Sequence, residues 1–108
     1  MTMDAADLRV WLETEGDERM LRIVPYVQSA TALDLQYSLL LTRDGAGGRS
    51  LVAQRGELGI VPGEPRPISR LSIGIRRQNE RCLVEVTLSG GGETLGSYKF
   101  DCPSPEAR

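Results

Sequence analysis

Alternation between apolar and polar residues is the feature that most restricts the fold of this chain. Its clearest instance runs from Leu33 to Thr42, where apolar side chains occupy every second position from Leu33 to Leu41. A period of two places those side chains on one face of a β-strand, whereas an amphipathic helix needs a period of about 3.6. No segment of useful length has the helical period. The chain is therefore predicted to be all-β.

Turn-forming residues separate the alternating segments and divide the chain into seven predicted strands. Gly-rich turns are expected at 44–48 and 90–92, and three prolines exclude an interior strand over 61–67. Only residues 28–33 have room for a helical turn. The predicted strands cover residues 8–13, 19–27, 33–42, 49–57, 68–76, 82–89 and 94–102. Seven short strands in 108 residues predict one antiparallel immunoglobulin-like or fibronectin-like β-sandwich over 8–102, with disordered ends at 1–7 and 103–108.

The first strand leaves one question open. Leu8, Val10 and Leu12 alternate with polar positions, but Trp11 falls on the polar side. Either Trp11 is an exposed anchor, or the inward face of this strand is the opposite one.

The composition argues against catalysis and against a bound metal. The chain contains no His and only two Cys, so the commonest general base and the commonest metal ligand are both absent. The acids at 13, 15, 17 and 18 are expected to form a solvated loop, because the order of ligands in a calcium-binding EF-hand is missing. No run approaches the ~18 apolar residues of a membrane-spanning helix. We therefore expect no enzyme, no cofactor and no membrane insertion.

Cys82 and Cys102 both fall on the apolar face of their strands. A hairpin whose turn centres on Gly92 places them opposite each other, close enough for a disulfide after a small local adjustment. One interpretation is a structural disulfide formed in an oxidising compartment. The other is a pair of buried thiols that act as small hydrophobic side chains.

Positive charge is concentrated in the middle of the chain. The net charge is −2, yet residues 43–81 contain eight Arg and four acids, a local charge of +4. Such asymmetry concerns partners and encounter rates rather than the fold. Overall acidity and few aromatic residues argue against nucleic acid as the partner.

Several segments, in their order and spacing, resemble the CsgC-like family of curli chaperones, and within it the CsgH branch. They are residues 33–43 (LDLQYSLLLTR), 50–56 (SLVAQRG), 68–73 (ISRLSI) and 82–86 (CLVEV). The resemblance covers about residues 8–103. It implies a monomeric immunoglobulin-like domain in the periplasm, its signal peptide absent from this sequence, that inhibits amyloid nucleation of curli subunits at substoichiometric ratio. The family's Cys-x-Cys pair is missing here, so a redox role does not carry over.

The arginine-rich segment supplies a hypothesis for the client-binding surface. Its candidate residues are Arg49, Arg55, Arg70, Arg76 and Arg77, bordered by Arg66 and Arg81. The simpler interpretation is that these charges keep an exposed sheet soluble and protect its edges. The alternative function is that of a secreted immunoglobulin-like module that captures a partner by adding its strand to a sheet edge.

Overall fold

The structure, a computed structural model, describes residues 8–16, 20–45, 47–73 and 80–102. These residues form strands and no helix, which confirms the all-β prediction. The strands are β1 (Leu8–Gly16), β2 (Leu21–Ser29), β3 (Leu33–Gly45), β4 (Gly48–Ile60), β5 (Arg66–Pro67), β6 (Leu71–Ile73), β7 (Arg81–Gly90) and β8 (Glu93–Asp101). The predicted ends at 1–7 and 103–108, and the continuation of the strand over 74–76, lie outside the described residues.

The described strands form two antiparallel sheets. In the first sheet β2 is central, with β1 on one side and the short β5 and β6 on the other. In the second sheet the order is β4-β3-β7-β8. Pro25 explains why β5 and β6 are separate, because it has no N–H to donate between their two pairing sites. Its carbonyl instead accepts a hydrogen bond from the Ile68 N–H, at 2.7 Å.

One hydrophobic core joins the two sheets. Ile23 and Val27 of β2 are fully buried with Leu39 of β3 and Val84 and Val86 of β7, and all five belong to one cluster. Each such side chain contributes about 1.5–3 kcal/mol when it leaves water. The core therefore fixes which face of every long strand is turned toward solvent.

The inward faces of β1 and β3 agree with the alternation. Val10 and Leu12 pack against the core, which answers the question that the sequence left open for the first strand. Trp11 accordingly lies on the outer face, stacked on Tyr26 with ring centroids 5.6 Å apart. Its indole N–H donates to the Glu13 carboxylate at 2.8 Å.

Four details of the structure differ from the prediction. The chain has a two-residue strand, β5, that the count of seven omitted, and the strand predicted over 49–57 continues to Ile60. No helical turn forms between Ser29 and Leu33. The turn of the last hairpin consists of Gly91 and Gly92 and is therefore not centred on Gly92. Both glycines have the positive φ that a two-residue hairpin turn requires.

A β-bulge restores the register that the sequence predicted for this hairpin. Next to the turn, Ser89 lies opposite Thr94, but beyond it Leu88 lies opposite Gly96, so Leu95 is the extra residue on β8. The shift brings Leu83 opposite Asp101. The following pair is Cys82 and Cys102, as the parity argument had placed them.

Candidate binding surface

Arg49 and Arg55 lie on β4 and point away from the core. Arg49 is opposite Asp44 and Arg55 is opposite Ser38, whereas the buried residues of β3 occupy the intervening positions. A spacing of six positions along one strand places the Cα atoms of the two arginines about 20 Å apart. We call these two residues the β4 arginines, and their surface is the outer face of the second sheet.

The other predicted arginines are not brought onto this strand. Arg70 is exposed just before β6, in the first sheet, with its Nε 4.0 Å from a Glu15 carboxylate oxygen. Arg76 and Arg77 lie outside the described residues. Two of the five candidate arginines therefore share one strand, and Arg70 lies beside the other sheet, one residue before β6.

The β4 arginines differ in their ionic partners. An Nη of Arg49 lies 3.1 Å from a carboxylate oxygen of Asp44, and both side chains are well exposed. An exposed pair of this kind contributes at most about 1 kcal/mol. Arg81 on β7 is also opposite Asp44, so Asp44 lies between two arginine positions on the neighbouring strands. Within the described ranges, Arg55 has no ion-pair partner.

Two adjoining shallow clefts lie beside Arg55 on the second sheet. The smaller has a volume of about 380 Å³ and the larger, which reaches the β7–β8 turn, about 560 Å³. Gln36 and Glu57 line both. The polar side chains of the smaller cleft are Gln36, Ser38, Arg55, Glu57, Thr87 and Ser89. The surface next to Arg55 thus offers hydroxyl and amide groups for hydrogen bonds, together with the Glu57 carboxylate.

Next to these charges, β4 exposes two consecutive apolar side chains. Leu51 is 60% exposed and Val52 is 41% exposed. Val52 lies opposite the buried Leu41, yet the part of β4 that joins the core is confined to Leu58 and Ile60. The half of β4 nearest the β3–β4 turn is therefore uncovered on both faces.

The outer edge of β4 is also open in the part of the chain that the structure describes. Its strand partner there is β3 alone, and a hydrogen bond from the Ser69 hydroxyl to the Gln54 side chain links it to the first sheet. Sequence reasoning missed this feature. The available signal was the run Leu51-Val52-Ala53 after a Gly-rich turn, which interrupts the alternation of apolar and polar residues.

The two cysteines are joined in the structure. A disulfide links Cys82 and Cys102, whose Cα atoms are 5.2 Å apart, and the Cys102 N–H donates to the Cys82 carbonyl at 3.0 Å. Both residues belong to the core cluster. The bond ties the start of β7 to the end of β8 on the inner side of the second sheet.

The described residues contain no group of three or more His, Cys, Asp or Glu that could hold a metal ion. No helix in the same part of the chain is long and apolar enough to cross a membrane.

These features define a class: a small all-β protein of two antiparallel sheets, cross-linked between its last two strands, with an exposed arginine-bearing edge strand. The family model described as thin aggregative fimbriae synthesis protein (Tafi-CsgC) matches residues 2–99. The chain belongs to this family.

Individual relatives agree with that assignment. The chain is 32% identical over 69 residues to the curli assembly proteins CsgC of Salmonella typhimurium and Salmonella enteritidis, a match that covers 64% of this chain. The matched part spans 63% of the length of either relative.

Two solved structures share the fold. The Escherichia coli curli protein CsgC superposes with a TM-score of 0.71 at 23% identity, covering 89% of this chain and 98% of its own. The solution structure of R. palustris CsgH superposes with a TM-score of 0.70 at 15% identity, covering 87% of this chain and 91% of its own. At these identities the superpositions show the fold, and they do so about equally for the two proteins.

Proposed function

We propose that this chain is a periplasmic chaperone of the CsgH branch that inhibits amyloid nucleation of curli subunits. It acts as a monomer with an immunoglobulin-like arrangement of its two sheets, has no catalytic activity, and does not bind nucleic acid or insert into membranes. Membership of the family, whose relatives are named curli assembly proteins, is the observation that carries the proposal. A disulfide between Cys82 and Cys102 suits an oxidising compartment such as the periplasm.

The mechanism that we propose is transient, electrostatically guided binding. Amyloid nucleation needs unfolded chains to pair as β-strands, and nucleation-competent species are scarce. A chaperone that intercepts those species acts well below the subunit concentration. Exposed arginines raise the encounter rate with acidic segments of such chains, and a guanidinium binds a carboxylate through two parallel hydrogen bonds.

The surface that we assign to this task is the outer face of the second sheet around the β4 arginines. Arg55 is the stronger candidate, because it has no ionic partner in the described part of the chain and polar clefts adjoin it. Arg49 must first release Asp44. Arg70, Arg76 and Arg77 remain a second group of candidates, to be varied separately.

The test follows amyloid formation of a curli major subunit by dye fluorescence, with this protein at a small fraction of the subunit concentration. We expect a long extension of the lag phase by the wild-type protein in low salt. The double variant Arg49→Glu, Arg55→Glu should lose most of that extension.

The matched control is Arg9→Glu, which makes the same kind of charge change at an exposed position on β1 in the first sheet. It should retain nearly the whole extension, because it lies outside the proposed binding surface. A lag unchanged by the wild-type protein, even at equal concentration, contradicts the proposed function. An equal loss per charge in the control assigns the effect to net charge rather than to this face.

A further inference from the structure

Among the strands that the structure describes, β4 is the sheet edge best suited to pairing with another chain. It has thirteen residues and pairs with β3 from Leu33–Ile60 to Gly45–Gly48 without a register shift. An edge strand presents a row of unpaired N–H and C=O groups to any extended segment that approaches it. Natural edges are usually short, bulged, or heavily charged to prevent this.

Each of the other described edge strands is bulged, is short, or has no exposed large hydrophobic side chain. The edge strand β8 contains the bulge at Leu95, and β5 and β6 have only two and three residues. The edge strand β1 is regular, but the exposed large hydrophobic residues of the described chain are Met20, Leu51, Val52 and Val61, and none lies on β1. Among these four residues, only Leu51 and Val52 lie next to each other on an edge strand, and that strand is β4.

We propose that β4 receives an extended segment of the client as an added strand, with the segment carrying acidic residues on both sides of an apolar centre. This inference rests on the proposed function, and it places both the charge and the docking edge on one element. On the outer face of β4 the order is Arg49, Leu51, Ala53, Arg55. In a paired strand the side chains directly opposite lie about 5 Å away. Acids therefore fit opposite the two arginines, and apolar residues fit between them.

The two interactions have separate roles. The arginines attract the segment and select its charge pattern, because they act over the range of the screened Coulomb interaction. Main-chain hydrogen bonds along β4 then hold the segment in a register, with affinity that does not depend on its detailed sequence. A client strand held in this way is withdrawn from pairing with other subunits.

A second copy of this chain is the competing occupant. If two β4 strands paired with Leu51 opposite Ala53, Arg49 would face Arg55 and like charges would oppose the pairing. A register shifted by two residues places Arg49 opposite Glu57 of the second copy, but it leaves Arg55 opposite Leu51 with no acid. An acidic client segment satisfies both arginines at once, which favours it over self-pairing.

The test uses two synthetic peptides and amide hydrogen exchange. The first peptide is acetyl-Asp-Thr-Val-Thr-Val-Thr-Asp-amide, whose palindromic pattern fits β4 in either direction. The second has the same side chains but carries N-methyl groups on three alternate backbone nitrogens. It is made in two versions, because either of the two alternate sets of nitrogens can face β4. We expect the first peptide to slow exchange of alternate amides between residues 49 and 55. Loss of three main-chain hydrogen bonds should weaken the better-matched N-methyl peptide about 100-fold.

Variants of the protein supply the second arm of the test. Val52→Lys introduces a charge at the edge, and natural proteins use such charges against strand pairing. It should weaken the binding of the first peptide about tenfold, which is the effect of one or two lost contacts. The control Val61→Lys makes the same change at a residue of similar exposure, just beyond the end of β4. Leu51→Lys, at a 60% exposed position, replaces Val52→Lys if circular dichroism shows that the latter is unfolded.

Three outcomes overturn the proposal. Equal binding of the methylated and unmethylated peptides, or no binding of either, excludes main-chain pairing at β4. Protection of β1 or β8 amides identifies another edge. Protection of β4 without peptide, together with a dimer in sedimentation, identifies a second copy as the occupant. The amyloid lag assay with the whole subunit decides the proposed function separately, since equal peptide binding with a persistent lag extension leaves electrostatic capture intact.

Discussion

Gly56 on β4 offers a quantitative test of how the second sheet is packed. A methyl group at this position would lie 2.6 Å from Cε2 and 2.7 Å from Oη of Tyr37, the residue opposite it on β3. Tyr37 packs against the core, so its ring has little freedom to move aside. Overpacking of this kind costs about 1–3 kcal/mol, whereas replacing Gly by Ala at an unstrained position stabilises by about 0.4–1 kcal/mol. We therefore expect Gly56→Ala to lower the free energy of unfolding by about 1–2 kcal/mol.

A double-mutant cycle separates the ring contact from every other cause. In a Tyr37→Val background the ring is absent, and Gly56→Ala should become neutral or stabilising. Gly59→Ala is the matched control on the same strand, because its methyl group would meet nothing closer than a Asp34 carboxylate oxygen at 3.9 Å. Urea denaturation followed by the fluorescence of Trp11, the one Trp of the chain, measures all the variants. The same effect of Gly56→Ala in both backgrounds would show that the Tyr37 ring is not the reason for glycine here.

Three further predictions concern the cross-link, the core and the charge. Breaking the Cys82–Cys102 bond, which closes a loop of sequence separation 20, should lower the free energy of unfolding by about 3 kcal/mol through chain entropy. Urea denaturation with and without reductant measures this loss, and the stability of the Cys82→Ala, Cys102→Ala variant should not respond to reductant. Leu39→Ala should cost about 2–5 kcal/mol because it leaves a cavity in the core, whereas Leu51→Ala on the same sheet should change stability by no more than about 0.5 kcal/mol; comparable losses in urea denaturation would contradict the burial pattern. The lag extension should shrink as salt rises and the Debye length falls from about 10 Å at 0.1 M to about 3 Å at 1 M; a salt-independent extension would rule out the β4 arginines as the steering charges.

The alternation of residues was sufficient to predict which face of a strand is buried. Leu35, Leu39 and Leu41 are almost fully buried. Their period of two places them on one face of β3, and only one orientation of the strand turns that face toward the core. The position of Trp11 needed the structure, because the alternation left both faces of β1 open and the packing of Val10 and Leu12 into the core decides between them. The alternation along a strand depends only on neighbouring residues, so the sequence alone contains it.

The cysteine pair shows how a correct result can rest on an incorrect turn. Parity and the assumption of a turn around Gly92 placed Cys82 opposite Cys102. The structure reaches the same register through a two-residue turn and the bulge at Leu95. A bulge adds one residue to one strand without a strong sequence signal, so its position was not predictable from the alternation.

The arrangement of the arginines depends on strand order, which the alternation does not contain. Arg55 and Arg70 are fifteen residues apart, and both were predicted to belong to one client-binding surface. Only the pairing of β4 with β3, and of β6 with β2, places Arg55 in one sheet and Arg70, one residue before β6, beside the other. Strand order also makes β4 an edge, and none of the described strands covers the exposed Leu51 and Val52. A surface built from an edge strand is therefore a property of the topology, and it is on such an edge that steering charge and free main-chain groups can act on the same segment of a client.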